Sequence, residues 1–379
     1  METVLKLRYL KTTIGEFLNK KMVFIGGPRQ VGKTTLSLSF LNNSRLNNPA
    51  YLNWDDLHSK KKIKNGELPH SNLIILDEIH KYKNWRSLVK GFYDKNKDLK
   101  KFIVTGSARL DHYRRGGDSL MGRYRYLRLH PFSVSELKIK SQNDFEQLLK
   151  FGGFPEPFLS ASTKDWKLWQ RERLYRLVQD DIRSLENLRE YSSIESLAEL
   201  LPSKVGSPLS VQSLAEDLEF NFRTIDNWIK ILEQTYFCFR ISPFGPPKIR
   251  AVKKERKLYL WDWSSCEDEG SRFENIVASH LLKYCHFIED TEGENMELRF
   301  LRDTDKREID FVVLKNKKPI FAVECKTGEK SVSKNIYYFK QRTRIPMFYQ
   351  VHKQKKDYSP ENGIRVLPFI KFCKEVGLV

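Results

Sequence analysis

Short apolar runs separated by polar stretches dominate the first third of the chain. Met22 to Ile25, Tyr51 to Trp54, Leu73 to Leu76, Phe102 to Thr105 and Tyr126 to Leu129 recur with polar or amphipathic segments between them. That alternation is the pattern of a parallel α/β sheet. From about residue 165 to 240 the spacing becomes helical, as in Trp166, Trp169, Leu174 and Leu177, then Ile194, Leu197, Leu200 and Leu201. Ser210 is placed to cap a helix carrying Leu214, Ala215 and Leu218. A turn at Glu219 to Asn221 leads to a second helix with Ile225, Trp228, Ile229 and Leu232. The pair reads as a helix-turn-helix with a wing at Tyr236 to Ile241. Pro243, Gly245, Pro246 and Pro247 then punctuate the chain. Beyond them, a helix opened by Arg272 to Asn275 carries Phe273, Ile276, Val277, Leu281 and Tyr284 on one face. A hairpin follows, Glu308 to Leu314 paired with Ile320 to Lys326, then a helix and a strand. The division expected is 1–160, 161–250 and 251–379, with no internal repeat.

Composition narrows the class. With 379 residues, 40% hydrophobic and 30% charged, the chain is too long for one ordinary core and too apolar for disorder. No apolar run approaches the roughly 20 residues a membrane span needs, so no membrane partner is expected. The start lacks the apolar block of a secretory signal. Five cysteines, odd in number and without a CxxC pair, suggest neither zinc nor disulfides. A cytoplasmic location is the expectation. The formal charge of +19 favours a polyanion. It is uneven: +15 over residues 1–150, −1 over 151–250 and +5 over 251–379, where −8 over 261–310 gives way to +9 over 311–360.

Residues 26 to 35 read GGPRQVGKTT, directly after a predicted strand and before a predicted helix. This is GxxxxGK[ST], a phosphate-binding loop: glycines let backbone N–H groups wrap the phosphates and the helix N-terminus favours negative charge. Gly27, Pro28, Arg29, Gln30, Val31, Gly32, Lys33, Thr34 and Thr35 are the expected ATP-binding residues, with Lys33 reaching the β and γ phosphates and Thr34 ligating Mg²⁺. Leu73 to Leu76 ends in Asp77 and Glu78. Asp77 is expected to assist the metal and Glu78 to orient or deprotonate the attacking water. Asp77 to His80 also fits the DExH form of helicases, without a further helicase motif. Ser107, after the strand Phe102 to Thr105, is the candidate γ-phosphate sensor. Arg123, just before the last strand, is a candidate finger acting on a neighbouring subunit, which would place ATP between the subunits of a homo-oligomer.

Together these segments resemble a family of bacterial and archaeal AAA-like ATPases. The family carries GPRQVGKTT (Gly27 to Thr35), a DEIH-type Walker B (Asp77 to His80), a TGS strand end (Thr105 to Ser107), an LxGR segment (Leu120 to Arg123), a PFS..EL stretch (Pro131 to Leu137) and GGFPE (Gly152 to Glu156). The likeness runs over nearly the whole chain. It implies a P-loop ATPase domain, a winged-helix middle domain and a C-terminal domain with a restriction-endonuclease-like core.

In that last domain, Asp310 and the pair Glu324 and Lys326 are expected at adjacent strand ends, and period two puts Glu324 and Lys326 on one strand face. The spacing resembles the PD-(D/E)xK nucleases, although the proline before the Asp is replaced by Ile309. By that resemblance Asp310 and Glu324 bind Mg²⁺ or Mn²⁺, Lys326 stabilises charge on the attacked phosphate, and Glu274 adds a carboxylate from the first helix. In the helix-turn-helix, Arg223, Thr224, Asn227 and Lys230 would face a DNA groove, or the element serves as an interface. The expected function is ATP hydrolysis acting on double-stranded DNA, driving or gating a metal-dependent nuclease. The alternatives are a nucleotide-controlled, non-cleaving DNA-binding switch and a protein-directed remodeller.

Overall fold

The structure, a computed structural model, describes residues 8–106, 120–182, 191–245, 255–328 and 331–379. These fall into two compact units, one taking in 1–131, 176–189 and 234–236, the other 132–175, 190–233 and 237–379. The second unit therefore runs across the boundaries expected at 160 and 250. Among the described residues no helix is long and apolar enough to cross a membrane.

The first unit is built on a parallel sheet of five strands: β1 (Met22–Gly26), β2 (Tyr51–Asn53), β3 (Leu73–Asp77), β4 (Lys101–Thr105) and β5 (Tyr124–Arg128), in the order β2-β3-β4-β1-β5. β1, β3 and β4 read as near-continuous apolar runs because a parallel sheet is covered on both faces. Phe24, Leu76, Phe102 and Val104 meet Trp85, Val89 and Phe92 of helix Trp85–Asn96 in one core. β5 begins two residues earlier than its apolar run suggested. Tyr124 pairs with Met22 and stacks on Phe24 at 4.3 Å, so the partner strand sets the boundary.

The second unit begins with helices. Ser141 caps helix Gln142–Phe151 by accepting from Asp144 N–H. Ser210 caps Val211–Asp217 in the same way, through Ser213 N–H. A turn with Glu219 at φ +58° leads to helix Phe222–Gln234, which buries Ile225, Trp228, Ile229, Ile231 and Leu232. The residues expected as a wing form β6 (Cys238–Pro243), antiparallel to β7 (Lys257–Leu260) and parallel to β8 (Met296–Arg302) at Ser242 and Pro243. They therefore belong to a mixed sheet of eight strands. β8, β9 (Glu308–Lys315) and β10 (Lys318–Lys326) follow the long helix Glu269–Glu292 as an antiparallel meander. Helix Lys334–Arg342 crosses to β11 (Phe348–His352), which runs parallel to β10, and β12 (Tyr358–Glu361) and β13 (Ile364–Pro368) complete the edge. β8 was absent from the expected helix-hairpin-helix-strand order. Its alternation, with Met296, Leu298 and Phe300 turned inward, is an ordinary half-buried strand pattern.

Candidate nucleotide site and a second carboxylate cluster

β1 ends where the phosphate-binding loop begins, and helix Lys33–Leu38 starts where it closes. Gly27 sits at φ +139°, and a Cβ there would lie 2.3 Å from the Leu129 carbonyl oxygen, so no side chain fits. Gln30 and Gly32 also take positive φ, at 63° and 96°. Val31 is fully buried and pins the loop, while Arg8 Nη1 donates to its carbonyl at 2.6 Å. The Lys33 ammonium, buried beneath the loop, donates to the carbonyls of Gly27 (3.0 Å) and Pro28 (2.7 Å). Arg29 lies outward, 3.1 Å from Asp180.

Parallel strands bring the second motif to the same edge. Asp77, buried at the end of β3, accepts from Thr34 Oγ1 at 2.9 Å, from Tyr51 OH at 2.7 Å and from Thr105 Oγ1. Tyr51 and Thr105 were not anticipated as site residues. Thr105 ends β4 directly beside Asp77, and Tyr51 opens the short β2 on the other side of β3, paired with Ile75. Burial, then the Asp77 charge, pushes the Tyr51 phenol above its ordinary value, so it stays a donor. Glu78 follows in the left-handed region, φ +55°. Its Oε2 accepts no hydrogen bond and lies 3.6 Å from Lys81 Nζ and 3.7 Å from His80 Nε2. Burial raises its pKa, while the Lys33 charge opposes the rise. A lysine, a hydroxyl paired with a carboxylate, and a second carboxylate with an oxygen that accepts no hydrogen bond fit a magnesium nucleotide.

Two other expected residues stand apart. Ser107 lies outside the described residues. Arg123 immediately precedes β5, and its carbonyl accepts from Met22 N–H at 3.1 Å. It is therefore at the strand starts, roughly 16 Å along the sheet from the loop. Its guanidinium forks onto Asp94 at 2.7 and 3.1 Å.

The second unit gathers its own carboxylates. Glu308 and Asp310 share a face of β9, Glu324 comes from β10, and Glu274 comes from the first turns of the long helix. Asp310 Oδ2 accepts from Cys325 N–H at 2.8 Å, and Lys326 Nζ donates to Glu324 Oε1 at 2.7 Å. Thus Asp310, Glu324 and Lys326, picked from spacing, lie together with Glu274, which the resemblance implied. Spacing missed Lys257 and Tyr259, which alternate along β7. The fully buried Lys257 ammonium lies 3.2 Å from Glu274, 2.5 Å from Glu308 and 3.6 Å from Asp310, and Tyr259 OH donates to Glu274 at 2.7 Å. Burial and then the Asp310 charge push Glu274 and Glu324 well above the usual carboxylate range. Among the described residues no group of three or more His, Cys, Asp or Glu is placed to hold a metal ion.

Two of the shared sequence segments have structural roles. In PFS..EL, Ser133 and the buried Glu136 receive Lys283 of the long helix at 2.9 and 2.7 Å, and Val134 N–H donates to His280 Nε2 at 3.0 Å. Burial drives His280 down to about 3, so it remains a neutral acceptor. In GGFPE, Gly152 at φ +79° has room for no Cβ, which would lie 2.5 Å from Asp262 Oδ1. Gly152→Ala is accordingly expected to cost the second unit about 1–3 kcal/mol, read by chemical denaturation.

Residues 19–138 match the model of an AAA domain, residues 142–266 a domain of unknown function (DUF8612), and residues 269–372 another (DUF4143). An uncharacterized protein of Methanocaldococcus jannaschii is 22% identical, the match covering 88% of this chain and 82% of that protein. Uncharacterized proteins of Mycobacterium bovis and Mycobacterium tuberculosis are each 22% identical over 64% of this chain and 54% of their own length. The N-terminal region therefore carries a P-loop, ATPase-type AAA domain, and the parallel five-stranded sheet agrees with it.

Proposed function

We propose that the chain binds and hydrolyses ATP and acts on double-stranded DNA, with turnover in the first unit controlling the second. The observation that carries the ATP part is the 2.9 Å bond between Thr34 and Asp77, with Lys33 inside the same loop and Glu78 beside them. Thr34, assisted by Asp77, would hold magnesium, which when bound would supply positive charge to offset that of the phosphates. Lys33 would leave its loop carbonyls for the β and γ phosphates, Ser107 would sense the γ phosphate, and Glu78, whose Oε2 accepts no hydrogen bond, would take a proton from water. Arg123 is too distant to act on its own chain's loop, so its finger role requires a second copy.

The surplus of +15 over residues 1–150 supports the DNA part, as do Arg223, Asn227 and Lys230, exposed on one helix. For the second unit, the proximity of Asp310, Glu324 and Lys326 is what supports nuclease-like cleavage gated by ATP, while the absence among the described residues of a group placed to hold a metal ion weighs against it. The lysine paired with each carboxylate favours the other reading, a nucleotide-controlled switch that grips DNA without cutting it. DNA affinity measured with ATP, with ADP and without nucleotide over a range of salt tests the proposal. The expected result is steep salt dependence and a difference of about fivefold or more between nucleotide states, abolished in Lys33→Ala. An affinity indifferent to nucleotide would contradict it.

A further inference from the structure

The carboxylate cluster of the second unit is compensated from within. Glu274, Glu308, Asp310 and Glu324 supply four carboxylates, and Lys257, Lys326 and Arg302, which reaches Glu308 at 3.3 Å, supply three cations. Lys257 is central, touching three of the four. Hard divalent cations need about six oxygen ligands. Here Asp310 Oδ2 is taken by the Cys325 N–H, Glu274 Oε1 by Tyr259 and Lys257, and Glu324 Oε1 by Lys326. Glu324 Oε2 is a buried oxygen of the cluster that accepts no hydrogen bond. The side chains fit an ammonium, and they do not fit a metal ion.

We propose that Lys257 is the resident cation of this cluster and that it occupies the role a divalent metal plays in a nuclease of similar strand arrangement. Among the described residues Lys257 is the cation paired with Glu274 and Asp310, so removing it opens a charge deficit there that a divalent ion could fill. Lys257 is held by packing as well as charge: it is fully buried and its ammonium lies 5.7 Å from the centre of the Phe300 ring. The inference concerns the charge of this cluster and stands whether or not the ligand of the second unit is DNA.

The test titrates the full chain with Mn²⁺ in the absence of nucleotide, following free ion by electron paramagnetic resonance. Wild type and Asp310→Asn are expected to bind Mn²⁺ alike. Lys257→Met is expected to gain one Mn²⁺ per chain, about tenfold tighter or more than any wild-type binding, and to lose it again in Lys257→Met/Asp310→Asn. A wild-type Mn²⁺ site that disappears in Asp310→Asn overturns the proposal, as does a folded Lys257→Met that gains none. If Lys257→Met does not fold, the wild-type and Asp310→Asn pair decides alone. Because nucleotide is left out, either result leaves the ATPase reading to be judged separately through Lys33→Ala.

Discussion

Lys33→Ala is expected to lower ATP turnover by about 10²–10³-fold, the usual cost of removing one preorganised charge from developing phosphate charge. The ammonium is already inside the loop, on the Gly27 and Pro28 carbonyls, so it has only to exchange one set of oxygens for another. Glu78→Gln separates binding from chemistry. Glutamine keeps the size and polarity but cannot accept a proton, so ATP affinity should hold while turnover falls by about 10²–10⁴-fold. The pH profile supplies an independent sign. Glu78 acts as the carboxylate, and burial raises its pKa. Wild-type turnover should therefore rise as pH increases through that raised value and then level off, while Glu78→Gln loses this limb. Pre-steady-state ATP binding and steady-state turnover, measured together, check all three.

The second large effect is on stability. Lys283 and Glu136 have side chains only 2% exposed and lie 2.7 Å apart. Lys283→Met removes this buried ion pair and the Ser133 contact together, so it should destabilise the second unit by about 3–5 kcal/mol. Lys283→Met/Glu136→Leu should recover most of the loss, because an apolar pair takes the place of a buried ion pair. Urea denaturation of the three proteins, followed at the tryptophans, distinguishes this from simple loss of volume, in which the double variant would be the least stable.

The first unit was legible because each of its signals is local. A parallel strand is an apolar run, GxxxxGKT is contiguous, and Asp77 follows such a run directly. The position of Arg123 followed from the same logic: in a parallel sheet, a residue just before one strand lies at the opposite end from a loop just after another. What the sequence hid was long-range. Lys257 looks like one more cation in a lysine-rich stretch, and nothing near it announces that Glu274, Glu308 and Asp310 converge on its ammonium. Ser133 and Glu136 depend on a helix about 150 positions away, and Gly152 on Asp262. Segments carried by family likeness thus proved to be docking surfaces within the second unit. The carboxylates chosen by spacing did assemble, yet their electrostatic setting was decided by a strand that spacing did not consult.

Under the proposed function ATP turnover and DNA engagement are coupled, and the decisive measurement is the steady-state ATPase rate of the full chain with and without double-stranded DNA at low and high salt. A rise of about fivefold or more at low salt, fading as salt screens the phosphates, is the predicted result. A rate that DNA leaves unchanged at every salt concentration would contradict the account.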